Sequence, residues 1–187
     1  MLVTSAAKNA KRPASAISGQ KFSALSSKSE LRSLLLSVFP HVSRTIDLIV
    51  LHCSDTRPSQ EFTIEKLSAS HKGRGFGEYP GYHFYIRRDG TLYYCRPLTL
   101  IGCHVAGYNA HSIGVCYEGG HREDEVKNRK YEDNRTAEQM ITLHYLLSTL
   151  HELLPRARIC GHRDLPGVAK ACPCFDAAKE YAYISKQ

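Results

Sequence analysis

Two apolar, β-branched runs in distant parts of this chain each end on a histidine. Residues 46–52 read Ile-Asp-Leu-Ile-Val-Leu-His, and residues 157–161, Ala-Arg-Ile-Cys-Gly, run straight into His162. Short apolar runs of this kind read as buried strands. Such a pair of strands fixes two imidazoles rigidly at strand ends. Cys172 follows ten residues after His162, in a loop whose glycine and prolines allow it to fold back. Two imidazoles and a thiol are three of the four ligands of a tetrahedral zinc. The fourth position then stays open for water, which is the arrangement of hydrolytic rather than structural zinc. The spacing does not fit a zinc finger, whose ligands come in close pairs. Taken singly, each residue also fits an ordinary packing or hydrogen-bonding role, and only the shared placement points to a metal.

The remaining pattern supplies the rest of a mixed α/β architecture. Residues 63–72 are a helix candidate, closed by Gly73 and Gly75. Residues 82–87 and 91–95 alternate on either side of Arg88-Asp89-Gly90, a strong hairpin signal. Residues 112–117 form another strand, and 121–134 are charged and expected as a surface loop. Thr136-Ala137-Glu138-Gln139 is a capping box. Met140, Leu143, Leu146, Leu147, Leu150, Leu153 and Leu154 follow at helical spacing before Pro155. A terminal helix is expected from about Asp176. Strands and helices mix without strict alternation, so the expected fold is a central mixed β-sheet flanked by helices.

Charge and cysteine content narrow the functional classes. The net charge is +7 over 187 residues. Within residues 1–44, seven basic side chains face a single acid, Glu30, so this segment carries almost all of the excess. Residues 1–44 are therefore expected as a basic, disordered tail with a short helix near 28–39, and residues 45–187 as the folded domain. No nucleic-acid partner is expected, because the folded part is nearly neutral. No apolar run approaches the roughly 20 residues of a membrane helix. Seven cysteines are an odd number in a chain too large to need disulfide staples, which points to synthesis in a reducing compartment. No secretory signal is recognisable.

From about residue 45 to 183 the chain resembles the zinc-dependent N-acetylmuramoyl-L-alanine amidases of the phage-lysozyme and peptidoglycan-recognition-protein type. The resemblance rests on six segments in order: Val50-Leu51-His52-Cys53-Ser54, Gly81-Tyr82-His83-Phe84, Arg87-Arg88-Asp89-Gly90-Thr91, Gly107-Tyr108-Asn109 through Ser112-Ile113-Gly114-Val115, Gly161-His162-Arg163-Asp164, and Lys170-Ala171-Cys172-Pro173. It implies the family's sheet-and-helix fold and one zinc ion per chain on His52, His162 and Cys172. It also implies catalytic roles for Tyr82 and Lys170 and a substrate contact at His104.

The bond implied joins the lactyl group of N-acetylmuramic acid to L-alanine in bacterial peptidoglycan. The protein is expected to be a monomer made in the cytoplasm and acting on the cell wall, as a phage or prophage lysin does. The alternative is a non-catalytic peptidoglycan-binding module with a structural zinc. Relatives of that kind lack the cysteine ligand, so Cys172 favours the enzyme. His83 is expected to be structural, and His71 to sit as a cation at a helix C-terminus. Asn109 is expected as scaffold, and Asp164 as a buttress of His162 or its loop.

Overall fold

The capping box at Thr136 forms as the sequence requires. In a computed structural model, which describes residues 23–126 and 129–184, the Thr136 side chain accepts from the Gln139 N–H at 3.1 Å. The Gln139 side chain accepts in return from the Thr136 N–H at 3.0 Å. The helix it opens spans Ala137–Leu153 and buries Leu143, Leu146, Leu147 and Leu150. Met140 lies off that stripe and is exposed.

Eight strands and four helices appear in chain order among the described residues. They are β1 (Ser23–Leu25), α1 (Lys28–Val38), β2 (Leu48–Cys53), α2 (Ile64–Gly73), β3 (Phe84–Ile86), β4 (Leu92–Tyr94), β5 (Ser112–Tyr117), β6 (His121–Val126), β7 (Arg129–Tyr131), α3 (Ala137–Leu153), β8 (Arg158–Gly161) and α4 (Ala177–Glu180). Six strands make one mixed sheet in the order β1-β4-β3-β5-β2-β8. Central β2 runs parallel to both neighbours, pairing His52 with Cys116 and Leu51 with Gly161. β3 and β4 are the expected hairpin, with Gly90 at φ 83° in a turn that an L side chain would strain.

Strand alternation gives the sheet two unlike faces. Ile49, Leu51, Ile113, Val115, Tyr117, Phe84 and Ile86 pack with leucines of α1 and α3 into the main core. On the other face, Leu48, Val50 and Cys160 pack with Val105 and Leu165. Ile64 and Leu67 of α2 cover Tyr85 and Cys116 there. His52, Ser112 and Gly114 alternate onto this second face.

Two expectations differ from the structure. The segment expected as a tail contributes to the fold from residue 23 onward; residues 1–22 lie outside the described residues. β1 pairs with β4, and Leu31 and Leu35 of α1 are completely buried. Ser27 caps the helix, its side chain accepting from the Glu30 N–H at 3.2 Å. The helix expected near 28–39 forms as α1, but Leu31 and Leu35, with Leu34 and Val38 beside them, dock it on the core, and its basic neighbours find partners within the chain. Arg32 pairs with Glu152 on α3, Lys28 lies 5.6 Å from the Tyr145 ring, and Arg44 donates to the carbonyls of Leu98, Ala110 and Ser112.

The charged segment 121–134 is not an open loop either. It forms the β6–β7 hairpin, held by ion pairs such as Arg122–Glu132 at 3.2 Å. Asn134 pins its base, accepting from the Gly120 N–H and donating to the His121 carbonyl.

Leu35→Ala is expected to cost about 2–5 kcal/mol, the range for emptying a fully buried leucine site. Urea unfolding of the purified protein checks this. A loss under about 0.5 kcal/mol would mean that α1 does not share the core.

Candidate metal centre

The parallel register of β2 and β8 decides where the two histidines meet. Leu51 lies opposite Gly161, so the next residues, His52 and His162, leave the sheet side by side. Their ring centroids are 4.6 Å apart. Cys172 is brought to them by clips on its loop. Arg163 N–H donates to the Cys172 carbonyl at 2.8 Å, and the Tyr117 hydroxyl donates to the Pro173 carbonyl at 2.7 Å. Asp164 holds the turn from its other side by accepting from the Gly161 N–H at 2.7 Å. The donor atoms of His52, His162 and Cys172 then all lie within 4.8 Å of one another.

This donor set fits a zinc ion. Zn–N near 2.0 Å and Zn–S near 2.3 Å at the tetrahedral angle require nitrogen and sulfur roughly 3.5 Å apart. His52 Nδ1 and Cys172 Sγ are 3.8 Å apart. Burial, with His104, His162 and Lys170 adding to it, pushes the His52 pKa far down. Burial and Lys170 lower that of His162 to about 4. Both imidazoles are therefore neutral, the form that ligates. The Cys53 N–H donates to Cys172 Sγ at 3.2 Å, a hydrogen bond that a metal-bound sulfur would also accept.

The three donors open onto a cavity of about 330 Å³ at the carboxyl ends of the parallel strands, where ligands bind in sheets of this kind. Tyr82 and Lys170 line it, as does His104. The Tyr82 ring lies 5.0 Å from that of His52, and burial raises its pKa well above the ordinary phenol value, so it keeps its proton. Lys170 is exposed at the rim. His104 stands behind His52, with its Nδ1 at 3.0 Å from His52 Nε2. The backbone N–H groups of His104 and Val105 both donate to Asn109 Oδ1 at 2.9 Å, the scaffold role expected of Asn109. His83 is buried beneath the site, its Nδ1 accepting from the Gly114 N–H, as a structural histidine would be.

Local sequence reading missed His71, Arg74, Asp55 and Tyr131, which also line the cavity. His71 is not a cation at a helix end. Its Nδ1 accepts from the Gly81 N–H at 2.8 Å, and burial, reinforced by Arg74 and Arg96, depresses its pKa to about 4. Nothing in the helix itself signals this, because the partner comes from the loop before β3. Tyr131 reaches the cavity only because the β6–β7 segment forms a hairpin.

Residues 42–175 match the family model described as N-acetylmuramoyl-L-alanine amidase. The chain belongs to that family. The amidase is 40% identical to the endolysin of Escherichia phage T7 over 130 residues, spanning 70% of this chain and 82% of that one. It is 39% identical to the endolysin of Enterobacteria phage T3 over 132 residues, spanning 71% and 83%. Among solved structures it superposes on the endolysin amidase LysCS from Clostridium intestinale URNW with a TM-score of 0.60. Identity there is 31%, covering 75% of this chain and 84% of that one. The mixed sheet with flanking helices is thus the fold of this family.

The amidase carries an acid-sensitive core as a by-product. Burial holds the pKa of His83 at about 3 and that of His71 at about 4, both below the ordinary 6.5. Below pH 6.5 the unfolded chain therefore takes up protons that the folded chain refuses. Stability from these groups is complete above about pH 6.5 and declines as pH falls towards 4 and 3, by about 1.4 kcal/mol per pH unit for each. His71→Asn, whose Oδ1 can replace Nδ1 as acceptor, is expected to reduce the loss measured by urea unfolding between pH 7 and pH 5. An unchanged pH dependence would show that His71 is not held neutral.

Proposed function

We propose that this amidase cleaves the bond between the lactyl group of N-acetylmuramic acid and L-alanine with one zinc ion held by His52, His162 and Cys172. Tyr82 and Lys170 act on the substrate. The observation that carries this reading is the convergence of donors from two strand ends and a clipped loop on a cavity that also holds those two side chains. When bound, zinc polarises the substrate carbonyl and acidifies a water towards pKa 7.

The chain's own residues supply the rest. A phenol that burial keeps protonated is a fixed hydrogen-bond donor, and Tyr82 offers it to the carbonyl oxygen as that atom gains negative charge. Lys170 places a cation at the rim beside the same oxygen and beside the leaving alanine nitrogen, which must be protonated as the bond breaks. The Tyr82 ring packs against the rings of His52 and His71, which fixes its place in the wall of the cavity. A donor already aligned before charge develops needs no reorganisation and is worth more than one in bulk water.

The substrate class sets the place of action. No helix among the described residues is long and apolar enough to cross a membrane. The reading is a monomer made in the cytoplasm and reaching the wall after release, with peptidoglycan as its partner.

Cys172→Ser and His162→Ala are expected to lose zinc, measured as metal per chain after dialysis, and to abolish release of stem peptides from purified sacculi. Full metal content in either variant would break the ligand assignment. Tyr82→Phe and Lys170→Ala are expected to keep zinc and to lose about a hundredfold or more in turnover. Mass spectrometry of digested sacculi reads this out as new N-terminal alanine. If the metal-loaded protein binds wall fragments and never liberates that terminus, it is a binding module and not the enzyme proposed.

A further inference from the structure

Behind His52 runs a chain of hydrogen bonds whose direction is fixed from its far end. The Ser112 hydroxyl lies 2.8 Å from the Tyr108 carbonyl, which can only accept, so Ser112 donates there. With its proton spent, Ser112 Oγ is an acceptor for His104 Nε2 at 3.2 Å. His104 Nε2 therefore carries the ring proton, and in a neutral imidazole its Nδ1 is then an acceptor. The group facing that Nδ1 is His52 Nε2 at 3.0 Å, which must bear a proton to complete the bond. The remaining nitrogen of His52, Nδ1, is left with a free lone pair, and it is the atom that faces Cys172 Sγ.

The His104 ring is also held in a slot that admits no side chain on either wall. A Cβ on Gly102 would lie 2.5 Å from His104 Cδ2, and one on Gly114 would lie 2.7 Å from Cδ2 and Cγ. The His83 ring meets it edge-on, with centroids 5.9 Å apart and planes at 79°. Asn109 fixes its backbone from the other end. Both ring nitrogens of His104 are thus engaged inside the protein. A substrate contact through either would break the chain.

We propose that His104 is a positioning residue: with Ser112 it holds His52 as the Nε2–H tautomer and so presents Nδ1 to the metal. This rests on the ligand assignment made under the proposed function. Outer-shell partners of this kind usually contribute about 10–100-fold to metal affinity. His104→Phe keeps a flat ring for the slot and removes the acceptor. His104→Asn places Oδ1 where Nδ1 stood and restores it.

The test pairs zinc affinity by chelator competition with two-bond nitrogen–proton correlation spectra of the imidazoles in the metal-free protein. The wild type is expected to show His52 and His104 both protonated at Nε2. His104→Phe is expected to bind zinc about 10–100-fold more weakly, with His104→Asn recovering most of the loss. The spectrum of the wild type needs no variant, so the inference stays open to refutation even if His104→Phe does not fold. His52 protonated at Nδ1, or zinc affinity in His104→Phe within twofold of wild type, would overturn it. Zinc binding that depends on Cys172 but not on His104 would defeat this inference alone. Binding that depends on neither would defeat the ligand assignment beneath it.

Discussion

The parallel pairing of β2 with β8 is the constraint on which the site depends. Strands from opposite ends of the domain lie edge to edge, and their register puts Leu51 across from Gly161. A slip by one residue would turn every side chain of β2 to the other face. His52 would then point into the leucine core under α3, and Cys53 into the cavity. Ile49 and Leu51, buried against α1 and α3, oppose that slip through their lost burial. The core on one face of the sheet therefore sets the chemistry on the other.

The second face is built for approach rather than for filling. Glycines at 102 and 114 let a histidine ring lie flat between two backbone segments, where any larger residue would displace it. His83 secures the same point from below, accepting from the Gly114 N–H and donating its own backbone N–H to the Gly114 carbonyl at 2.9 Å. Buried polar groups are costly unless every one is satisfied, and here each ring nitrogen of His83 and His104 has a partner. That completeness rigidifies the wall behind His52, and a rigid wall is what a metal with a fixed coordination geometry requires.

Much of this was legible in the sequence, and the limits follow from physical range. Signals that act along a few residues read correctly: the Thr136 box, the Asp89-Gly90 turn, and the strand ending at His52. His52 and His162 could be placed at strand ends because those runs are short and apolar, whereas Cys172 lies in a loop that the fold brings to them. What failed were inferences drawn from charge. The basic count over residues 1–44 left the helix near 28–39 in a tail, whereas Leu31 and Leu35, with Leu34 and Val38 packed beside them, dock it on the core. The acidic and basic residues of 121–134 looked like a solvated loop, yet charges of opposite sign across two strands support a hairpin. His71 was beyond local reading altogether, because its partner, Gly81, is supplied by the fold.

The end of β2 also shows how the candidate donor set is assembled. At this strand terminus the side chain of one residue and the backbone N–H of the next both reach the same sulfur. His52 turns to the cavity face with Nδ1 towards Cys172, while the Cys53 N–H, no longer needed by a neighbouring strand, donates to the same sulfur. Cys53 Sγ meanwhile sits on the core side, 3.6 Å from Cys174 Sγ, and takes no part in the donor set. If a cation were held there, that N–H bond would draw part of the sulfur's negative charge away from it. The same strand end thus supplies one candidate ligand and a hydrogen bond to another.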